Sequence, residues 1–368
     1  MGGGKSLKIL EIYMKKKLLA LLSALIALAT LFSCSGIPNS GFAGTYWLEV
    51  PSAQAPEGFY ERIEYEISSI DKTDFAGALY PVNSNLKFEV DQAKSAFVTE
   101  LYSEGDGFVY KTTLNLTGTY TYIDEANGIN FTYTVANDVT TTESWFKGRE
   151  DGFACTKSVQ SVVNTLPLSA FPTSESDFTK VIVETETVYG EKDATHTVRS
   201  DDPATAILLN ANGEPKTVSD YKKNAYIDNA LIPLIFRCFK YENNINYTFS
   251  SIEISSGELK GSKGSAKLTT ETSPDSSTIQ TAIKTMDVDC KIDGDSRMNV
   301  SFNTFGVTIS TTGEYAQDYM TAYYANSIGN DVLDANNRSR HYMVKCFRPT
   351  LYNTCYLVYT ISTVSHTR

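Results

Sequence analysis

The stretch that decides the fold class lies at residues 118–134 and reads GTYTYIDEANGINFTYT. On both sides of its polar centre, apolar residues alternate with polar ones: Tyr120, Tyr122, Ile129, Phe131 and Tyr133. This period of two is typical of strands that bury one face. Asn127-Gly128 at the centre favours the positive φ that a tight turn between antiparallel strands needs. The stretch therefore predicts a β-hairpin.

The same alternation recurs on either side of this hairpin. It predicts strands at residues 60–67, 86–90, 181–185, 245–249, 252–254, 286–292, 300–302 and 355–361. Helical spacing is found at 221–236 and 315–328. Aromatic residues make up 12% of the chain and include 23 Tyr, which suit half-buried pleated surfaces. The predicted class is mainly β: an antiparallel β-sandwich or barrel, in one or more domains, with one or two short helices.

The length of 368 residues exceeds what one hydrophobic core usually organises. Residues 193–215 concentrate Asp, Asn, Gly and Pro around Asp201-Asp202-Pro203, which predicts a linker between β-rich domains at 42–192 and 216–368. Each of these would have an ordinary domain size. One large β domain with a long connection is the alternative.

The N-terminal segment has the order of a secretory signal. Lys15-Lys16-Lys17 precedes an uncharged apolar run at 18–32, which is short for a permanent transmembrane helix. Residues 1–33 are therefore interpreted as a signal peptide, with translation expected to start at Met14. An uncleaved signal anchor and a buried helix are the alternatives.

The end of the apolar run, Leu31-Phe32-Ser33-Cys34, resembles the lipobox of bacterial lipoproteins, although Phe32 is bulkier than the usual residue there. The resemblance implies a diacylglyceryl group on the Cys34 thiol and cleavage just before it. Two or three acyl chains hold a protein stably on a membrane. Ser35, rather than Asp, implies sorting to the outer membrane, facing either periplasm or exterior. Residues 34–41 are then a lipidated flexible tether.

A second resemblance concerns the body. Gly44-Thr45-Tyr46-Trp47 and Gly118-Thr119-Tyr120-Thr121 are similar to opening strands of bacterial lipocalin-like domains, with Trp47 one residue late. This resemblance implies an up-and-down barrel with an apolar cavity. An ordinary β-sandwich strand is the other interpretation.

Apart from Cys34, five cysteines remain: Cys155, Cys238, Cys290, Cys346 and Cys355. An exported protein could pair at most four of them, and the pairing is not determined by the sequence. Cys346 and Cys355 could face one another across a short hairpin. Alternatively, each cysteine is a small buried apolar side chain.

No catalytic, cofactor-binding or metal-binding residue is predicted. His196, His341 and His366 show no metal-ligand spacing, and His366 is expected at a frayed terminus. Ser219 and Lys222 match Ser-x-x-Lys but lack the accompanying Lys-Thr-Gly. The aspartates of residues 287–295 lack the Gly and Glu positions of a calcium loop. Removing the basic signal leaves a body charge of roughly −15, which disfavours nucleic acid as a partner.

These observations predict a lipid-anchored cell-envelope protein with a non-catalytic binding or structural role. Its partners would be the membrane, through the anchor, and an envelope component, a glycan or a host-surface molecule. A Tyr-rich β surface motivates the binding role, because Tyr gives contact area at low entropic cost. The alternatives are a lipocalin-like carrier of small apolar ligands and a secreted hydrolase in which His196 or His341 meets a nucleophile.

Overall fold

A computed structural model describes residues 58–71, 85–147, 154–167, 174–218, 227–238, 247–255, 258–269, 284–294, 296, 298–312, 318–328, 341–349 and 355–367. The first nine strands within these ranges are β1 Tyr60–Asp71, β2 Leu86–Val90, β3 Ala96–Glu104, β4 Gly107–Asp124, β5 Ile129–Phe146, β6 Cys155–Pro167, β7 Phe178–Tyr189, β8 Ala194–Arg199 and β9 Lys216–Val218. The remaining eight are β10 Ile227–Asp228, β11 Tyr247–Ser255, β12 Glu258–Thr269, β13 Lys284–Ile292, β14 Met298–Thr312, β15 Asp318–Ile328, β16 Met343–Pro349 and β17 Cys355–Thr367.

Helices are few and short in this part of the chain. They are α1 Pro203–Leu208, α2 Ile232–Ile235 and 3-10 turns at Gln92–Lys94, Glu175–Asp177, Asn229–Leu231 and Phe236–Cys238. None of the described helices has the length and apolar character needed to cross a bilayer. The predicted mainly-β class with one or two short helices is confirmed.

The hairpin predicted at residues 118–134 forms. β4 and β5 pair antiparallel, and Gly128 takes φ +67° in the turn between them. The carboxylate of Asp124 accepts hydrogen bonds from the backbone and side-chain amides of Asn127. Gly118 is required for packing, because a Cβ there would lie 2.6 Å from the Phe88 ring on β2. β2 pairs antiparallel with β4 at this point, with Val90 opposite Gly118.

Most strands pair with antiparallel neighbours. One ladder runs from β9 through β8, β7, β6, β5, β4 and β3 to β1, and β1 then pairs with β17. A second ladder runs from β17 through β16 and β15 to β14. β13 pairs with β14 and, in parallel, with β17, so five strands close into a ring. β10 and β11 form a second parallel pair.

The segments predicted as two domains share strand pairs. β1 belongs to 42–192 and β17 to 216–368, and their ladder runs along the whole of β1. Residue contacts group 37–368 into one compact unit. The segment 193–215, predicted as a linker, carries β8 and α1.

The helix prediction for 315–328 is wrong, since residues 318–328 form strand β15. Its alternate residues Met320, Ala322 and Tyr324 are buried. This burial follows the period of two of a strand and not the spacing of a helix. In 221–236, the structure places α2 near the end of the predicted stretch, and residues 221–226 lie outside the described part.

Residues 227–238, here called the interior segment, lie inside the curved sheet. Leu231, Ile232, Leu234 and Ile235 are all fully buried. The hydroxyl of Tyr324 on β15 donates to the Pro233 carbonyl at 3.2 Å. Arg237 and Asp228 make further contacts with β1 and β7, so the segment connects strands that are far apart along the ladders. Its apolar side chains form part of the main hydrophobic core.

Candidate functional site

An open cleft of about 540 Å³ lies between β13 and the neighbouring sheet surface. Its floor is a cross-strand row on β15, β16, β17 and β1: Tyr323, Lys345, Thr360 and Glu66. Its other wall is β13, from Lys284 to Asp289, with Asn299 from β14. This space, the β13 cleft, is therefore built on regular strands, which hold side chains more rigidly than loops do.

The sequence of β13 explains how it forms a wall. Met286 and Val288 are half-buried against the core, whereas Asp287 and Asp289 are exposed. The strand pairs with β14 as far as Cys290 and then with β17 at Lys291 and Ile292. Asp293 and Gly294 follow with φ of +50° and +84°, which turns the chain back into β14.

Two lysines and two aromatic rings share the cleft. Lys284 Nζ lies 5.5 Å from the Tyr323 ring centroid, and Lys345 Nζ lies 5.3 Å from that of Phe347. The two rings are 6.2 Å apart and nearly perpendicular. Within the described residues, neither lysine forms an ion pair with a carboxylate. Each ammonium is attracted by the ring face and remains available to an anion.

Acceptors and donors line the opposite side. The hydroxyl of Ser301 donates to Asp287 Oδ1 at 2.5 Å, and Asn299 Nδ2 donates to Asp289 Oδ1 at 3.3 Å. Ser301 is the cross-strand partner of Asp287, and Asn299 is that of Asp289. The carboxylates are thereby held in place.

A second recess of about 270 Å³ adjoins the β13 cleft. It is lined by Glu64, Ser95, Lys291 and Ser362 among others, and Glu66 lines both spaces. An elongated ligand could therefore extend from the cleft along β1.

A buried charge cluster lies on the other face of β1. Arg237 of the interior segment makes two hydrogen bonds to the Glu61 carboxylate, at 2.7 and 3.0 Å. His366 Nε2 lies 3.5 Å from Glu61 Oε2, and His366 Nδ1 lies 2.9 Å from Asp293 Oδ1. Tyr342 lies beneath the Arg237 guanidinium at 5.4 Å and contacts His366 through its hydroxyl. This cluster attaches the interior segment to β1 and β17.

The prediction that His366 is frayed is wrong. Its side chain is 8% exposed, and its backbone pairs with Glu61 on β1. The pairing extends to Thr367, the last residue of β17, so His366 lies within a strand of the sheet. Sequence alone gave no signal for this, because its partners lie far away along the chain.

The carboxyl of Glu61 is strongly influenced by its surroundings. Burial would raise its pKa, but the Arg237 charge and the hydrogen bonds with His366 and Arg237 outweigh burial and lower the pKa to about 2. Burial would lower the pKa of Arg237, but the charge and hydrogen bonds of Glu61 outweigh burial and raise it. The pair is therefore ionised at neutral pH.

His196 is buried in a row of hydroxyl groups. Its Nδ1 lies 2.9 Å from Thr187 Oγ1, and directly paired positions on the next strands hold Ser158 and Ser144. Burial lowers the pKa of His196. Among the described residues, no group forms a hydrogen bond with its Nε2. Both serines are 0% exposed, so a substrate could not reach these hydroxyls without opening the sheet.

Asp228 anchors the other end of the interior segment. It accepts hydrogen bonds from the Tyr189 hydroxyl at 2.6 Å and the Ala230 amide at 2.8 Å. Burial raises its pKa in spite of these bonds. His341 is also buried, and it adopts a positive φ of +45°. Among the described residues, no group of three His, Cys, Asp or Glu side chains is arranged to hold a metal ion.

Four cysteines are buried free thiols: Cys155, Cys290, Cys346 and Cys355. The hairpin of β16 and β17 forms, but its register places Cys346 opposite Tyr359. The possible bridge between Cys346 and Cys355 is therefore absent from the structure, and the buried apolar interpretation holds for these four. Burial raises the pKa of Cys346 to about 12, which makes its thiol unreactive.

The expected Tyr-rich surface is not found in the described part of the chain. The tyrosines whose side chains the structure describes are buried or half-buried, and nine of them belong to the core: Tyr65, Tyr110, Tyr120, Tyr122, Tyr189, Tyr324, Tyr342, Tyr356 and Tyr359. They face inward because alternation places them opposite the polar residues of each strand. Tyr323 and Phe347, which line the β13 cleft, are half-buried.

Several sequence predictions fall outside the described residues. These are the lipidation site Cys34, the tether 34–41, the Trp47 strand and the Ser219–Lys222 pattern. Cys238 is described only in its backbone.

Comparison with solved structures finds a distant similarity. No family model and no curated protein matches the chain. The fold is similar to that of a β-barrel-like protein from Brucella abortus. That protein represents a domain of unknown function, DUF1849, and the match has a TM-score of 0.43 and 8% sequence identity over 84% of this chain and 98% of that one. At this level of similarity the likeness carries no information about function.

Sequence reasoning missed the β13 cleft. Its residues are spread over β1, β13, β14, β15, β16 and β17, and no two of its lysines and aromatic rings form a recognisable motif. The available signal was the alternation of Lys345 with Phe347, which places a cation and a ring on one face of a strand.

Proposed function

We propose that this chain is a lipid-anchored cell-envelope protein that binds a ligand without transforming it. The observation that carries the binding role is the β13 cleft, whose side chains are charged and aromatic and whose walls are strands. Its volume falls within the range usual for ligand sites. The anchor rests on the resemblance of Leu31-Phe32-Ser33-Cys34 to a lipobox.

The non-catalytic role is supported by where the reactive groups lie. His196 and His341 are buried, as are the four described thiols. A general base must reach the proton that it removes, and these groups have no contact with the β13 cleft or the adjoining recess. This arrangement favours binding over the hydrolase alternative.

The interior segment gives less support to the alternative of a lipocalin-like carrier. A lipocalin-like carrier needs an apolar cavity inside the sheet. Here the interior segment places Leu231, Ile232, Leu234 and Ile235 in that position. The parallel pairs β10–β11 and β13–β17 also depart from the connectivity of an up-and-down barrel.

A cleft-filling variant tests the binding role. Thr360 lies in the middle of the cleft floor, so Thr360→Trp should occupy the space without disturbing the core face of β17. The full-length protein in detergent would be tested against immobilised peptidoglycan fragments, lipopolysaccharide, and neutral and acidic glycans. We expect at least one of these to be retained by the native protein, with unchanged ligand mass, and retention to fall more than tenfold in Thr360→Trp.

The matched control is Thr197→Trp, which places the same bulk on β8, far along the ladder from the cleft. It should bind as the native protein does. Equal binding by Thr360→Trp would contradict the site, and a ligand recovered with altered mass would contradict the non-catalytic role.

A further inference from the structure

One edge of β13 borders the β13 cleft. Residues 286–289 all line this space, although neighbouring residues of a strand point their side chains to opposite faces. A space that contacts both sets of side chains runs along the edge of the strand. β14 pairs with one edge of β13 at 284–290, and β17 pairs with the other edge at 291–292. Among the described residues, no strand pairs with that second edge at 284–288.

The backbone groups of this edge point into the cleft. The Asp293 amide donates to β17 at 2.9 Å, so the odd-numbered residues of β13 direct their N–H and C=O groups to the edge that β17 shares. The Lys284 carbonyl accepts from a threonine of β14 at 2.8 Å, so the even-numbered residues point the other way. Thr285 and Asp287 therefore present donors and acceptors to the cleft, and within the described residues no backbone group pairs with them.

These groups match the backbone of another extended chain. A strand edge offers N–H and C=O groups in turn, and an added strand satisfies both. Charged ligands are less suited to the cleft, because two lysines and three carboxylates line it and would repel as well as attract an ion of either sign. A peptide backbone is uncharged, and its pairing with Thr285 and Asp287 uses main-chain groups alone. It does not require any side chain of the cleft to be free.

The size of the cleft suits one short strand. Strands lie about 4.8 Å apart in a sheet, sheets pack about 10 Å apart, and the rise is about 3.3 Å per residue, so one strand residue fills roughly 160 Å³. The cleft volume of about 540 Å³ then holds about three or four residues. This number agrees with the length of the open edge, which spans residues 284–288.

We infer that the β13 cleft binds an extended, uncharged segment of another polypeptide, which adds as a strand to β13 at Thr285 and Asp287. This inference rests on the proposed binding function and names its ligand class. The main-chain hydrogen bonds hold the segment, and pockets for its alternate side chains select it. The charged side chains of β13 limit unselective addition, as they do at other exposed sheet edges.

The probes are end-capped hexapeptides of Ser, Thr, Val and Leu, displayed as an array with every position varied and exposed to the full-length protein in detergent. We expect a subset to bind, and isothermal titration calorimetry gives the affinity of the tightest one. That peptide is then N-methylated at its odd or at its even positions. One pattern should weaken binding at least tenfold and the other less than threefold, because only one edge of the added strand pairs with β13.

A substitution in β13 tests the same hydrogen bonds from the side of the protein. Asp287→Pro removes an N–H group that points into the cleft and leaves the pairing of the even-numbered residues with β14. It should bind the tightest peptide at least tenfold more weakly than Asp287→Ala, which loses the same carboxylate but keeps the N–H group. Thr360→Trp should lose the peptide as well, and Thr197→Trp should bind it as the native protein does.

Equal effects of the two N-methylation patterns, equal binding by Asp287→Pro and Asp287→Ala, or an array without a binder would overturn the inference. The N-methylation result decides alone if Asp287→Pro does not fold. A dimer of the native protein that Asp287→Pro cannot form would assign the edge to a second copy of this chain and overturn the inference too. If the peptides failed while Thr360→Trp still abolished retention of a glycan or lipopolysaccharide, the proposed function would stand without this ligand class.

Discussion

The interior segment and the β13 cleft use charged residues in opposite ways. Inside, Arg237 and Glu61 are 4% and 2% exposed and make two hydrogen bonds with one another. In the cleft, Lys284 and Lys345 lie over aromatic rings with no carboxylate partner among the described residues. A buried charge without a partner is costly, whereas a solvated one is not. The contrast indicates that the interior pair serves structure and the cleft lysines are available for binding.

The largest expected effect follows from breaking the interior pair. Arg237→Met leaves the Glu61 carboxylate buried beside a thioether, so we expect the free energy of unfolding to fall by about 3–5 kcal/mol. Replacing both partners, Glu61→Leu with Arg237→Met, should recover most of this loss. Denaturant unfolding followed by circular dichroism would measure both.

The matched control for that substitution is in the cleft. Lys345→Met makes the same exchange of a long basic side chain for methionine, and it should change stability by less than about 0.5 kcal/mol. A similar loss of unfolding free energy in Arg237→Met and Lys345→Met would contradict the distinction between the interior pair and the cleft lysines.

The pH dependence of stability should reveal the contribution of the Glu61–Arg237 pair. The pKa of Glu61 is lowered from its usual 4.5 to about 2 in the folded protein. Its contribution to stability is therefore complete above pH 4.5 and is lost as the pH falls towards 2, by roughly 3 kcal/mol. Glu61→Gln lacks this contribution at every pH. The stability difference between native protein and Glu61→Gln should shrink as the pH falls from 5 to 2.

Thermal unfolding of the native protein and of Glu61→Gln in that pH range gives the measurement. A constant difference between native protein and Glu61→Gln down to pH 2 would mean that the pair does not stabilise the fold as described.

The strands could be predicted where local alternation and turn chemistry agree. β2 is predicted at its observed bounds, and the turn at Gly128 follows from the need for positive φ. β15 is predicted as a helix because Met320 and Tyr324 also fit a spacing of four. Its pairing with β14 shows that it is a strand. Local pattern cannot resolve such cases, since the deciding hydrogen bonds come from another strand.

The site was less predictable than the fold. The pairing of Glu61 with Arg237 joins residues 176 positions apart, and no sequence signal connects them. The β13 cleft depends on register across several strands, so its lysines and rings look like scattered surface residues until the ladders are known. The tyrosines were assigned to the surface although alternation alone could have placed them inward, opposite the Thr and Glu residues beside them.

The most direct test of the account is the intact mass of the membrane-extracted protein beside that of a Cys34→Ala variant. The account predicts a mature chain that begins at Cys34 and carries the added mass of two or three acyl chains, which the variant lacks. A chain that retains residues 14–33 without added lipid would contradict the proposal of a lipid-anchored envelope protein.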